Sequence, residues 1–457
     1  MSLSRKILHI TPHLGGGVGS VVRGYLEYEI KQGENVHRVA SLDSLNLESK
    51  ALFNKIGIEW NDEIYLDQDL LSSLIIDSDI ILIHWWNHPL LQNLLMNREL
   101  PESRIIIWTH ISGNSDPNNF CDFVLRYPDK LVFTTPLSFA SSAVRENWEE
   151  LDSKVSSIWS TTGVEKLLDF KTSPRTREPS GVIKIGYVGN LDYSKLHPSF
   201  FAICKAIASP RIDIHIIGPL TSQFSADLEH YGENLGLTTT GFIPELDKFD
   251  LMSKFEILLY PLAREHYGTC DQVIQEAMAF GTVPVVLNNQ MESYMIEHGK
   301  NGLISSSIDE LIANVQELIA NPDLRDYLGK NASVFAQKKY RISEMARSWN
   351  LEFQELMDKP KHRHTTLSQI MGRELEANEI FTQSLESSAG IFEMHKRSSD
   401  QQERQIWESQ IECLSSSPKW ASPTKSSPSH FSDYFPDDPW LKTWSILTSK
   451  KSRTRLG

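Results

Sequence analysis

The sequence predicts two doubly wound α/β domains followed by a C-terminal extension. Three observations point there. The length of 457 residues exceeds what one core usually serves. Two successive series of short β-rich runs alternate with amphipathic stretches, the pattern of parallel sheets with crossover helices. Between the series the polar, turn-forming stretch SPRTREPSG, Ser173 to Gly181, reads as an exposed linker. The expected divisions are 1–175 and 181–358 for the two domains and 359–457 for the extension, part of it disordered.

In the first series the buried strands are expected at Lys6 to Ile10, Val36 to Ala40, Ile80 to His84, Ile105 to His110 and Leu131 to Thr134. In the second they are Ile183 to Val188, Ile212 to Ile217, Ile257 to Tyr260 and Val283 to Leu287. The helical pattern from Leu324 to Met357 is expected to finish the second domain. Beyond Pro360, Ile380 to Leu414 suits polar amphipathic helices. Ser415 to Pro436, rich in Ser and Pro, reads as a flexible connector. Trp440 and Trp444 stand four apart, ready to dock as one helical turn. Ligands of open α/β sheets gather at the carboxyl ends of strands, so functional residues are expected just after strands, in a cleft between facing domains.

Composition narrows the function. Hydrophobic residues are 40% and charged residues 23%, ordinary for a globular chain. The net charge of -14 argues against nucleic acid, whose phosphates call for clustered Lys and Arg. The basic tail, Lys450, Lys451, Arg453 and Arg455, reads as a solvated end, with peripheral contact to anionic lipid as the lesser alternative. The start, MSLSRKILHITPHL, has no signal-peptide pattern, and no apolar run reaches about 18 residues. A cytoplasmic protein is expected, with the inner membrane face as the place of any lipid contact. The four cysteines lack CxxC spacing, so neither disulfides nor a structural zinc are indicated.

Two glycine-bearing segments carry the chemistry. After the first strand, TPHLGGGVGS opens a helical run. Gly16 and Gly17 let the backbone approach a ligand where the helix start offers unpaired N–H groups to a phosphate. The same glycines also suit a plain tight turn. In the second half, PLAREHYGTCDQVIQEAMAFG follows a strand. There Thr269 and Gln272 have capping-box spacing and Gly281 ends the helix. Gly268 and Thr269 would sit at the mouth of a helix N-terminus suited to a diphosphate. Glu276 lies among apolar neighbours, which is costly unless it is paired or meets a ligand.

This segment resembles the donor motif of retaining glycosyltransferases of family 4, which have the GT-B fold. Glu265, Tyr267 and Gly268 match its Glu-x-aromatic-Gly, and Glu276, Ala277, Met278, Ala279 and Gly281 match its Glu-Ala-Met-Ala-x-Gly. Where the family usually has seven residues between the glutamates, ten stand between Glu265 and Glu276, read as a three-residue insertion. The resemblance implies that Glu265 contacts the transferred sugar and Glu276 the ribose. It places His110, in WTHISG, near the reacting sugar, and Lys195, in GNLDYSKLHP, against the leaving diphosphate. Asn190 stands where the family usually has an Arg, which weakens the phosphate grip.

Simpler readings stay open: a solvated acid for Glu265, a base-paired helix carboxylate for Glu276, a surface lysine for Lys195 and a core histidine for His110. HWWNHP sets His84 and His88 four apart, but a zinc site needs further ligands, so an aromatic wall or plain core is expected and no metal. The implied reaction moves a sugar from a nucleoside diphosphate sugar, the co-substrate, to a hydroxyl of a saccharide or lipid-linked acceptor with retention, in polysaccharide or glycoconjugate synthesis. It needs no other cofactor and no nucleic acid. The alternatives are a nucleotide-sugar isomerase of the same fold and a non-catalytic binding protein with a degenerate site.

Overall fold

The computed structural model describes residues 4–170, 181–232, 235–264, 266 and 268–449. The chain divides into two compact units. Unit 1 joins Met1–Trp159 to Ala346–Gly457, and unit 2 is Ser160–Met345.

Unit 1 is built on a seven-stranded sheet: β1 (Arg5–Thr11), β2 (Asn35–Ser41), β3 (Glu59–Asn61), β4 (Ile80–Trp85), β5 (Ile105–Thr109), β6 (Lys130–Phe133) and β7 (Val155–Ser157). Their order is β3-β2-β1-β4-β5-β6-β7, all parallel. Unit 2 carries six strands: β8 (Ile183–Val188), β9 (Ile212–Ile217), β10 (Leu237–Thr239), β11 (Ile257–Tyr260), β12 (Val283–Leu287) and β13 (Leu303–Ser305). They run in the order β10-β9-β8-β11-β12-β13, also all parallel. Both β4 and β5 are buried at every residue, as a parallel sheet covered on both faces requires. The strand order reverses between β1 and β4 and again between β8 and β11, so each unit has its ligand-binding crevice position there, at the carboxyl ends.

Every strand expected from the sequence forms. The four not expected, β3, β7, β10 and β13, are the sheet edges. Each is three residues long, and the first three contain no fully buried residue.

The boundary lies earlier than Ser173 to Gly181, a stretch that up to Ser180 falls outside the described residues. Residues 160–170 are already tied into unit 2. Ser160 accepts from Gln275 Nε2 (2.8 Å), Thr161 Oγ1 donates to the Tyr340 carbonyl (3.0 Å), and the Ile342 amide donates to Glu165 (3.0 Å). A second correction concerns the helix Ile342–Met357, expected to complete the second domain. Its part from Ala346 belongs to unit 1. There Trp349 meets Trp108 edge-on at 4.8 Å, and Glu352 and Glu355 pair with Lys130 of β6 at 3.0 and 2.8 Å.

The extension is folded through residue 449. Helices Ala377–Gln383, Ala389–Arg397, Gln401–Leu414, Pro428–Tyr434 and Pro439–Ser449, with the 3-10 turn Pro418–Ala421, bring Phe381, Phe392, Trp420, Phe431 and Trp444 into one continuous core with Leu91 and Leu94. The expected connector from Ser415 to Pro436 is therefore structured. Its Ser-Pro composition is helix-start chemistry: Ser427 caps the His430 amide (3.2 Å) ahead of Pro428, the favoured place for proline. Asp438 ahead of Pro439 does the same for Trp440 and Leu441 (2.9 and 3.1 Å). Trp444 docks as expected and donates through Nε1 to His395 Nδ1 (3.0 Å). The basic tail from Lys450 lies outside the described residues.

Candidate active site

In unit 1 the loop after β1 turns sharply into the helix Gly16–Gln32. The Gly15 amide donates to His13 Nδ1 (3.1 Å), and Arg23 holds the Leu14 carbonyl (3.0 Å). Gly16 has φ +58°, in the left-handed region that favours glycine. A Cβ at Gly19 would collide with the Leu14 carbonyl, whereas one at Gly17 meets nothing within 4 Å. Gly19 is thus needed by the turn itself, and Gly17 leaves its side open for a ligand.

His110 follows β5 directly. Its Nε2 lies 3.1 Å from His84 Nδ1, and burial drives its pKa down to about 3, so the ring is neutral. Within HWWNHP the two histidines diverge. His84, on β4, is buried with its Nε2 2.9 Å from Nδ1 of His9 on β1. His88 accepts from the Leu90 amide at the start of helix Pro89–Asn97 (3.3 Å) and faces His430 and Tyr434 of the extension, ring centroids 4.9 and 4.8 Å away. Trp85 is core, its Nε1 donating to Asn87 (3.0 Å). Trp86 is half-buried beside His13 and His110.

In unit 2 the loop after β8 begins at Gly189, whose amide donates to the Ile217 carbonyl (2.9 Å). The Asn190 carbonyl accepts from Tyr187 Oη (3.0 Å). Lys195 is turned inward, its ammonium 2.7 Å from Asp271 Oδ1 and 5.5 Å from the Tyr260 ring. Tyr260 also donates to Asp271 (3.2 Å). Burial alone would raise the Asp271 pKa, but Lys195 and His266 outweigh it and hold the carboxyl below its ordinary value. His266 accepts from the Gly268 amide at Nδ1 (2.9 Å) and reaches Glu292 through Nε2 (3.1 Å). Burial pulls its pKa down, Glu292 pushes harder, and the net shift is upward. The donor atoms of His266, Asp271 and Glu292 come within 4.8 Å of one another, with the Lys195 ammonium supplying the cationic charge against Asp271.

The helix beyond this loop is Gln272–Phe280, with Asp271 at its N-cap. The capping box of Thr269 and Gln272 does not form. Gln272 instead donates to the Ser160 carbonyl (3.1 Å) and accepts from the Thr162 amide (3.1 Å). Gly281 does end the helix, at φ +78°. Glu276 is buried, and both its oxygens accept from Lys248 at 2.9 Å. Gly268 and Thr269 flank the His266–Asp271 network, while Glu265 and Tyr267 lie outside the described residues.

Sequence reasoning missed Asp271, His266 and Lys248. Asp is a preferred N-cap type, and that was the available signal for Asp271. Nothing local to Lys248 marks it as the partner of Glu276. Asp271 matters for the phosphate reading, because its negative charge stands against the one cation assigned to the diphosphate.

Residues 170–335 match the family Glycosyl transferases group 1. That span holds Lys195, Asp271 and Glu276. No curated protein matches the sequence. In structure the chain is similar to HepE of Anabaena in complex with UDP-glucose, at TM-score 0.59 and 16% identity over 77% of this chain and 100% of that one. It is also similar to a glycosyltransferase from Rickettsia africae, at TM-score 0.62 and 13% identity over 78% and 100%. A third likeness is to sucrose-phosphate synthase from Thermosynechococcus elongatus, at 0.58 and 14% over 78% and 99%. At these identities the likeness establishes the fold: two parallel-sheet, Rossmann-like domains of GT-B type. Among the described residues no helix is long and apolar enough to cross a membrane.

Proposed function

We propose that this protein is a retaining glycosyltransferase of family 4 that moves a sugar from a nucleoside diphosphate sugar to an acceptor hydroxyl in polysaccharide or glycoconjugate synthesis. The observation that carries the reading is the match over residues 170–335, because Lys195 and Glu276 both fall inside it. Glu276 is assigned the ribose hydroxyls, which a buried carboxylate can hold with both oxygens. Lys248 neutralises that carboxylate in the free protein and has to share it with the ligand. Lys195 is assigned the departing diphosphate, with the open side of Gly17 and the start of helix Gln272–Phe280 as further donors. Charge developing on a leaving group is best met by fixed positive groups, and the transition state is oxocarbenium-like. His110 and Glu265 are assigned to the sugar. The reaction as proposed uses no metal, and an activity abolished by EDTA overturns that part.

UDP-sugars are the first donors to test, since HepE was solved with UDP-glucose. Calorimetry against a panel of sugar nucleotides is expected to show preference for one of them. Glu276→Ala is expected to weaken its binding about 10- to 100-fold, the loss of hydrogen bonds to a charged group. Product analysis by NMR decides retention. Absence of binding across the panel overturns the enzyme reading, and nucleotide release without an acceptor favours an isomerase.

A further inference from the structure

At the amino ends of β5 and β6, two histidines from the C-terminal part of unit 1 meet an aspartate of the sheet. Asp129 directly precedes β6, and its Oδ2 accepts from the Ile105 amide at the start of β5 (2.8 Å). Ser103, two residues before β5, exchanges both backbone hydrogen bonds with His362 (2.9 and 3.2 Å). His362 and His364 are two apart, the spacing that puts side chains on one face of an extended chain, and their rings stand side by side with centroids 4.2 Å apart. Both turn Nε2 toward Asp129. His362 Nε2 lies 2.8 Å from Oδ1, and His364 Nε2 lies 3.6 Å from Oδ2.

We propose that Asp129, His362 and His364 form a zinc site that fastens residues 362–364 to the sheet of unit 1. The outer nitrogens of both rings decide the chemistry of the inner ones. His362 Nδ1 faces the Arg363 carbonyl (3.0 Å), and His364 Nδ1 faces the Tyr127 carbonyl (2.9 Å). A carbonyl only accepts, so Nδ1 carries the N–H in both rings, and a neutral imidazole then has its lone pair at Nε2. Two such lone pairs and a carboxylate oxygen lie within 4.8 Å of one another. The further contact of His364 Nε2, the Ser103 carbonyl (3.3 Å), is an acceptor as well. What this arrangement calls for is a cation. Ligands about 2.0–2.2 Å from a tetrahedral zinc stand roughly 3.3 Å apart, between the 2.8 and 3.6 Å found here. Two imidazoles with one carboxylate suit zinc, whereas calcium and magnesium prefer oxygen alone. The two carbonyls supply the outer hydrogen bonds that orient histidine ligands. Water takes the fourth position, on the side where His362 is 50% exposed. Asp129 stands 233 positions from His362, so no local motif announces the site. It lies at the opposite end of β5 from His110, so its ion fastens the fold and takes no part in the sugar transfer proposed above.

The test is zinc binding by the metal-free full chain near neutral pH, read by competition with a chromophoric chelator, together with thermal unfolding at increasing zinc. The wild type is expected to take up one zinc at this site and to show a thermal midpoint that rises with zinc concentration. His362→Gln removes a half-exposed ligand and leaves the core alone. It is expected to unfold as the metal-free wild type does, to bind zinc at least about tenfold more weakly and to lose the zinc-dependent rise. Asp129→Asn, whose amide oxygen still accepts from Ile105, is expected to lose the rise as well. A wild type that binds no zinc overturns the proposal, because the two rings would then be held to Asp129 by protons alone. Zinc binding that His362→Gln leaves unchanged also overturns it, and would direct the ion to His266, Asp271 and Glu292 instead.

Discussion

Lys195 and Asp271 form a buried ion pair, with side chains 13% and 4% exposed. Removing one partner of such a pair typically costs about 3–5 kcal/mol, because a charge is left buried alone. Asp271→Asn is therefore expected to lower the thermal midpoint of the free protein. A saturating nucleoside diphosphate sugar should restore much of the loss if its diphosphate takes over the role of counter-ion to Lys195; equal losses with and without donor would remove Lys195 from the phosphate site. His110 gives a second residue-level prediction. Its pKa falls from an ordinary 6.5 to about 3 on folding, so below pH 6.5 the unfolded chain takes up a proton that the folded chain refuses. Stability contributed by the neutral ring is complete above pH 6.5 and drains away as the pH falls toward 3, by about 1.4 kcal/mol per pH unit. Urea unfolding between pH 7 and pH 5 is expected to show a shallower acid slope for His110→Gln than for the wild type. At this scale the sequence disclosed the residue types and their places after strands. It did not disclose their partners, because Lys248 and Glu276 meet only where two helices pack, and His9 and His84 only where β1 and β4 pair.

Among the elements, the central strands were legible because burial on both faces writes an unbroken apolar run. The edge strands were not, since a strand of three residues has no room for a pattern. The folded extension was misread for a different reason: its serines, aspartates and prolines are distributed as caps and first turns, and cap chemistry looks like low complexity when the apolar anchors between are few. The glycine-rich turn after β1 separates structural from ligand roles in one experiment. Gly19→Ala is expected to destabilise unit 1 by about 1–3 kcal/mol, the usual cost of overpacking, because its methyl would enter the Leu14 carbonyl. Gly17→Ala has open space and is expected to leave the urea midpoint unchanged or slightly raised. A fall in donor affinity for Gly17→Ala at unchanged stability would assign that turn to the ligand, while unchanged affinity would leave it a turn.

At the level of the whole molecule, the core of unit 1 is shared between its sheet and the C-terminal helices. Trp444, fully buried, is expected to cost about 3–5 kcal/mol when cut to alanine. Circular dichroism in urea should show the sheet of unit 1 losing stability along with the extension; a variant that loosened only the terminal helices would show the two to be independent. Unit 1 takes its residues from both ends of the chain, and unit 2 lies wholly between them. During synthesis residues 160–345 are therefore complete and able to fold as a domain while the first 159 still await Phe431 and Trp444. The sheet made before unit 2 is covered only after it, and until the helices of 377–449 emerge its apolar surface is what chaperones have to guard.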